Sequence, residues 1–274
     1  MNRDDVVSGV AKLVVWWLET RRAKLKELRH DTMAVNPFLI PLLLALGDID
    51  SIDELAHLLL AGHFSVGHAT GFGKLIDEKI LPHVFRTTKL NSSFRKALPW
   101  LQSMFDEIDH LVTMPNGDRY LLSLKAGRWT IQLTMAVQLN KAFAEILKGR
   151  DAGVTDFSGI VVGVFYGRSE TLTDKYDIIR GINRGANHDL IDVQKDVSVF
   201  AGRDFWSWLN GGEVATQEWV LEGILCGIQN AKEKHGPISE LMEAYKAQFA
   251  ATFAQYVGVD GKVDWVGVLR MING

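Results

Sequence analysis

Met104-Phe105-Asp106-Glu107-Ile108-Asp109-His110-Leu111-Val112-Thr113, then Met114-Pro115-Asn116-Gly117-Asp118, then Arg119-Tyr120-Leu121-Leu122-Ser123-Leu124-Lys125 reads as strand, turn and strand. Asn-Gly favours a two-residue hairpin turn because both residues tolerate positive φ. Ala126-Gly127 closes the second strand, and from Trp129 to Leu147 the residues Ile131, Met135, Leu139, Phe143 and Ile146 recur at helical spacing. Ile160 to Tyr166, Tyr176 to Arg180 and Val197 to Ala201 are apolar runs of strand length, and Asp204 to Leu209 and Thr216 to Lys234 return to helix. Upstream, Val6, Val10, Leu13, Val14, Trp17, Leu18, Leu25 and Leu28 predict a long amphipathic helix. Asn36-Pro37 breaks it before a second helix, and Ser51-Ile52-Asp53-Glu54 caps a third through Leu60. Mixed strands among helices in the centre, with helices at both ends, predict an α/β core carrying a helical subdomain.

A chain of 274 residues, 47% hydrophobic and 23% charged, is globular in composition, which excludes wholesale disorder and collagen-like repeats. A formal charge of -3 argues against a general nucleic-acid coat protein and leaves room for a local basic cleft. The basic face of the first helix, Arg21, Arg22, Lys24, Lys26 and Arg29, reads as a solvated surface. The single cysteine, Cys226, lies in an apolar helical stretch and is expected to be a buried core residue in a reducing compartment. Acids at Asp4 and Asp5 with no apolar run behind them predict no signal peptide. Pro37 to Leu46 is too short for a bilayer and contains Pro41, so the expected location is the cytoplasm.

The glycine-rich stretch from Gly62 to Gly73 is not a phosphate-binding P-loop. Gly67 and Gly73 are one residue too far apart, Leu75 stands where a hydroxyl should hold magnesium, and no strand precedes it. His63 and His68 read as polar loop residues, because no Cys or third His accompanies them.

The hairpin itself carries chemistry. Metal-dependent phosphodiester cleavage needs carboxylates to hold a cation against the phosphate and a nearby ammonium to orient the attacking water. Asp109 and Lys125, sixteen residues apart across the turn, fit the nuclease pattern of an aspartate followed by (Asp/Glu)-x-Lys. Two features depart from it. The residue two before Lys125 is Ser123, so a second carboxylate must come from elsewhere: Glu78 is favoured, on the polar side of the helix after Gly73, over Asp106 and Glu107. A regular Asn116-Gly117 turn would also set Asp109 opposite Leu124, on the wrong sheet face for Lys125. The chemistry therefore requires a loop with an odd number of residues or a bulge, unless the metal aspartate is Asp106.

Long strings of this chain resemble the type II restriction endonucleases that cut the interrupted palindrome RGGNCCY (R purine, Y pyrimidine). They include Thr70-Gly71-Phe72-Gly73-Lys74-Leu75-Ile76-Asp77-Glu78-Lys79-Ile80-Leu81-Pro82, Phe105-Asp106-Glu107-Ile108-Asp109-His110 and Leu121-Leu122-Ser123-Leu124-Lys125-Ala126-Gly127. Asn36-Pro37-Phe38, the run from Trp129 to Lys141 and Phe205-Trp206-Ser207-Trp208-Leu209-Asn210 belong to the same resemblance. It implies a PD-(D/E)xK fold, a restriction-endonuclease-like mixed sheet flanked by helices. It also implies a Mg2+-dependent homodimer that cleaves double-stranded DNA to 5′-phosphate ends, alongside a cognate DNA methyltransferase. On this resemblance Asp109 and Lys125 are the motif residues and Ser123 fills the variable carboxylate position. Glu78 matches a helical metal ligand, and Leu124 can ligate through its main-chain carbonyl. Residues 1–60, with helices in 236–274, would form the dimerisation region and residues 61–235 the catalytic and DNA-recognition domain.

Reading bases in the major groove requires Arg or Lys for guanine and Asn or Gln for adenine. The segment from Arg180 to Asp189, with Asn183, Arg184, Asn187 and His188, has that chemistry. Arg128, Gln132, Arg168 and Lys175 are candidates for phosphate contacts. Trp16, Trp17, Trp206, Trp208 and Trp219 lie in apolar helical patterns and are expected in core or dimer packing. Two rival functions share these residues: a repair or nicking nuclease of the same fold, and a DNA-binding module that has lost catalysis.

Overall fold

The computed structural model describes residues 1–26, 38, 40–47, 54, 57–58, 61, 71–93, 103–127, 130–153, 156–236, 239–260 and 262–273. Five strands form one sheet in chain order: β1 (Thr88–Lys89), β2 (His110–Thr113), β3 (Arg119–Lys125), β4 (Gly159–Val164) and β5 (Val197–Ala201). The first two pairings are antiparallel and the last two parallel, so the sheet is mixed. The helices are α1 (Arg3–Lys26), α2 (Ile40–Gly47), α3 (residues 71–83), α4 (Leu133–Asp151), α5 (Asp174–Ile179), α6 (Arg203–Leu209), α7 (Thr216–His235), α8 (Ser239–Ala254) and α9 (Trp265–Asn273). The architecture is thus mixed α/β, a five-stranded sheet flanked by helices.

β4 is buried at every position, as a parallel strand covered on both faces must be. On one side α4 contributes Leu139, Phe143 and Ile146, spaced as one helical face, to a core shared with Leu121, Ile160, Val162 and Val197. Phe205 of α6 packs over Gly163, and the buried Trp206 donates its indole N–H to the Phe165 carbonyl at 2.9 Å.

The β2–β3 register pairs Thr113 with Arg119 and His110 with Leu122. The Met114 N–H donates to the Asp118 carbonyl, so the loop is Pro115-Asn116-Gly117, three residues long, with Gly117 at φ 90°. Such a loop closes on a left-handed residue, which glycine adopts without a Cβ penalty. The expected two-residue turn is therefore absent. The paired register ends at His110–Leu122, and beyond it the Asp109 N–H donates to the Leu122 carbonyl at 2.8 Å; the odd-residue loop is the geometry that assigning Asp109 and Lys125 to one site requires.

Other expectations are corrected. Ser103–Glu107 is a 3-10 turn, so only the last four residues of the first predicted strand pair in the sheet. Tyr176 to Arg180, expected as a strand, lies in α5 and its C-cap: Tyr176, Ile178 and Ile179 are buried in a helix too short to display its period. Cys226 is exposed. α7 meets α1 through Gly223 and Gly227, where an added Cβ would lie 2.7 Å from a side-chain Cβ of Val10 and of Val14 respectively. Backbones that close leave the bulkier apolar residues of α7, Leu221 and Leu225, facing away.

Residues 1–14 with 73–227 form one compact unit, and residues 15–72 with 228–274 a second. In the second, Lys234 and His235 donate to the Glu19 carboxylate at 2.7 and 2.8 Å and hold its pKa below the ordinary value. Arg22 donates to the Gly236 carbonyl at the end of α7. Beside them lies an apolar cavity of about 220 Å³ lined by Leu18, Ile228 and Ala231 among others. No helix among the described residues is long and apolar enough to cross a membrane.

Candidate active site

β2 begins at His110, one residue after Asp109, and β3 runs on to Lys125. The edge that β3 exposes beyond β2 is taken by a side chain. The Leu124 N–H donates to Asp109 Oδ2 at 2.7 Å, which fixes the carboxylate against the strand. The N–H and C=O of one strand residue project to the same edge, so the Leu124 carbonyl turns toward the same side as Asp109. Lys125, half-buried at the end of β3, makes no ion pair or side-chain hydrogen bond among the described residues.

A second acid reaches this edge from α3. Residues Ile76–Ile80 form a π-helical turn, and Asp77 lies in it with Ile76 and Ile80 buried on either side. Such wide turns shift the phase of a helix and recur at functional sites. Here the result is that Asp77 turns inward while Glu78, the residue favoured by regular helical spacing, is exposed. Lys89 of β1 pairs in register with His110. Its Nζ lies 2.6 and 2.7 Å from the two Asp77 oxygens and 3.6 Å from Asp109 Oδ1. The fully buried His110 meets Asp77 Oδ1 through Nε2 at 2.7 Å and Thr87 Oγ1 through Nδ1 at 2.9 Å. A hydrogen-bonded chain thus runs from Thr87 through His110 and Asp77 to Lys89, whose ammonium also forms a longer ion pair with Asp109.

Burial works to raise the pKa of Asp77, but the hydrogen bonds from His110 and Lys89 outweigh it and hold the carboxyl below its ordinary 3.8. A depressed folded-state pKa stabilises the fold above the unfolded value, and that contribution is lost as the pH falls through the folded one. Wild-type stability should therefore fall in acid, below about pH 4. The Asp77→Asn variant should lose that part of the dependence, which chemical denaturation across the acid range measures; an unchanged acid limb would contradict it.

Ser123 is fully buried, and its hydroxyl has no hydrogen-bond partner among the described residues. An unsatisfied buried hydroxyl costs about 1–3 kcal/mol. Ser123→Ala is accordingly expected to leave stability unchanged or to raise it by about 1 kcal/mol in thermal melts; a clear loss would show that the hydroxyl has a partner.

No family model matches this chain, and no curated protein matches it either. The site is therefore read from its own geometry. Two carboxylates, Asp77 and Asp109, converge on one positive charge, that of Lys89. Among the described residues no group of three His, Cys, Asp or Glu side chains converges to hold a metal. Magnesium, however, commonly takes only one or two carboxylates and completes its shell with water and phosphate oxygens.

The candidate DNA-contacting residues sit elsewhere on the same unit. Asn183 and Asn187 use their Oδ1 atoms on the backbone N–H groups of His188 and Asp189, and Arg184 pairs with Asp177. Lys175 pairs with Asp174, while Arg168 and Gln132 are exposed. Arg128 lies outside the described residues, as do Asn36, Pro37, His63 and His68. Asp77, Lys89, His110 and Thr87 are the site residues that spacing did not single out. Their one sequence signal is adjacency: Asp77 precedes Glu78, and His110 follows Asp109.

Proposed function

We propose that this chain is a magnesium-dependent, site-specific double-strand DNA endonuclease of the type II restriction class, with the restriction-endonuclease-like fold. The observation that carries the reading is the convergence of Asp77 and Asp109 on one cationic point at the open end of the β2–β3 hairpin, with Lys125 on the adjoining strand. The residues present fit a magnesium ion. The Lys89 ammonium marks where the two carboxylates direct their charge, and hard oxygen donors are the set that ion takes.

Bound there, magnesium supplies Lewis-acid stabilisation of the charge that builds on the phosphoryl and departing 3′ oxygens. Asp109 is oriented by the Leu124 N–H through Oδ2, which leaves Oδ1 turned to the cation side. Asp77 is oriented by His110, whose other nitrogen is tied to Thr87. Lys125, with no carboxylate partner among the described residues, positions the attacking water in line with the scissile bond, and cleavage leaves 5′-phosphate ends. In this reading Asp77 supplies the second carboxylate, missing at position 123, that the sequence expectation gave to Glu78.

A palindromic target cut in both strands calls for a C2 homodimer with one active site per strand. The exposed Leu221 and Leu225 of α7 are apolar surface suited to a second copy. A cognate methyltransferase would protect the host's own sites. A catalytically silent DNA-binding module is the second reading, favoured by the fully buried Ser123 at the motif's carboxylate position.

Digestion of DNA of known sequence with Mg2+, followed by mapping of fragment ends, tests the proposal. Discrete fragments are expected, at RGGNCCY or a close variant, and Lys125→Ala should slow their release by roughly 10²–10⁴-fold. Nicks alone would favour a nicking or repair enzyme. Binding without any cleavage would favour the silent module.

A further inference from the structure

Lys89 has no place in the hairpin motif, yet its ammonium holds the position on which both acids converge, 2.6 Å from Asp77 and 3.6 Å from Asp109. Its side chain is 28% exposed and lies at the open end of the shortest strand of the sheet. The two acids carry two formal negative charges against the single charge of Lys89. A divalent ion in the same place would neutralise the pair in full, and two cations within a few ångström repel strongly in a partly buried site. Resting on the nuclease reading above, we propose that Lys89 is a built-in occupant of the cation position, holding Asp77 and Asp109 together until a divalent metal displaces its ammonium. The lysine is thus a positioning residue that sets the metal concentration at which the site loads.

Burial and hydrogen bonding make the arrangement local and specific. Asp77 cannot follow the ammonium outward, because His110 holds its Oδ1 and is itself fully buried against Thr87. Asp109 cannot follow either, because its Oδ2 is committed to the Leu124 N–H. The flexible part of the cluster is the lysine stem, whose end is a single hydrated charge on four methylenes. Exchange of ammonium for metal therefore needs one side chain to swing and leaves both carboxylates in place.

The test is Mg2+ titration by calorimetry of full-length wild type, Lys89→Met and Lys89→Arg. Lys89→Met, which keeps the stem and removes the charge, is expected to bind Mg2+ at least about tenfold more tightly than wild type. Lys89→Arg, which keeps the charge, should not tighten binding. Affinity of Lys89→Met equal to or below that of wild type overturns the proposal. Should Lys89→Met fail to fold, wild-type protein decides the matter through lysine acetylation mapped by mass spectrometry. Reactivity of Lys89 should rise several-fold when Mg2+ saturates the site, and unchanged reactivity overturns the proposal. Cleavage assays separate the two ideas. If wild type cuts DNA with Mg2+ but Lys89→Met binds it no better, only the role of Lys89 falls. If Lys89→Met binds tightly and neither protein cuts, the nuclease reading falls and the displaced lysine stands.

Discussion

Asp109→Asn is expected to slow Mg2+-dependent cleavage of double-stranded DNA by on the order of a thousandfold, about 4 kcal/mol of transition-state stabilisation. The substitution is nearly isosteric, and the amide oxygen can still accept the Leu124 N–H that Asp109 Oδ2 takes at 2.7 Å. What it removes is one formal charge, the one nearest the position where Lys125 follows on β3. Asp77, Lys89 and His110 keep their own contacts with one another, so the fold should survive: a thermal melt within a few degrees of wild type is the control. DNA binding measured without Mg2+ should be retained or slightly strengthened, since a negative charge facing the phosphate has gone. Single-turnover cleavage separates the chemical step from binding and product release. A rate within tenfold of wild type would show that the catalytic acid lies elsewhere. Loss of binding together with cleavage would show that Asp109 supports the DNA surface.

Much of the sheet can be read from the sequence because its strands obey simple rules. Arg119 to Lys125 follows an Asn-Gly turn and ends at a glycine, and Val197 to Ala201 is an apolar run between polar segments; both are strands with those bounds. Tyr176, Ile178 and Ile179 misled for a physical reason. A six-residue helix makes fewer than two turns, so its aromatic and β-branched residues resemble a strand more than a period. Cys226 misled because apolar runs say how much of a helix wants burial, while glycines decide which face approaches a neighbour. The same division holds at the site. Asp109 and Lys125 stand out because they flank one hairpin at a recognisable spacing. Asp77 and Lys89 arrive from a π-helical turn and a two-residue edge strand. Their meeting depends on the Lys89–His110 pairing, which no local pattern announces.

Asn140→Ala should be strongly destabilising, costing about 3 kcal/mol. Asn140 lies on α4 between Leu139 and Phe143 of the core and is fully buried. Its Nδ2 donates to the carbonyls of Ile179 at 3.1 Å and Ile191 at 2.8 Å, and its Oδ1 accepts the Ile191 N–H at 2.9 Å. One side chain therefore closes both ends of the segment carrying Asn183, Arg184, Asn187 and His188. Alanine would leave the carbonyls of Ile179 and Ile191 and the Ile191 N–H without this partner, the Ile179 carbonyl in a buried setting, and open a cavity. Asn140→Leu would fill the space and still orphan the same three groups, so it should cost nearly as much. That comparison isolates hydrogen bonding from packing. Urea denaturation measures the loss, and hydrogen exchange at the Ile191 amide should rise in both variants more than at the amides of β3. If Asn140→Leu instead restores wild-type stability, the three bonds contribute little and the segment is held by its own contacts, chiefly Val193 N–H to Arg180 and Arg184 to Asp177. If the loss is as large as expected, the segment is clamped from beneath by a residue that touches no DNA. Cleavage by a partly stabilised Asn140 variant should then lose discrimination between target and near-target sites before it loses rate, since misplacing base contacts by a fraction of an ångström removes specificity while leaving Asp109, Asp77 and Lys125 in place.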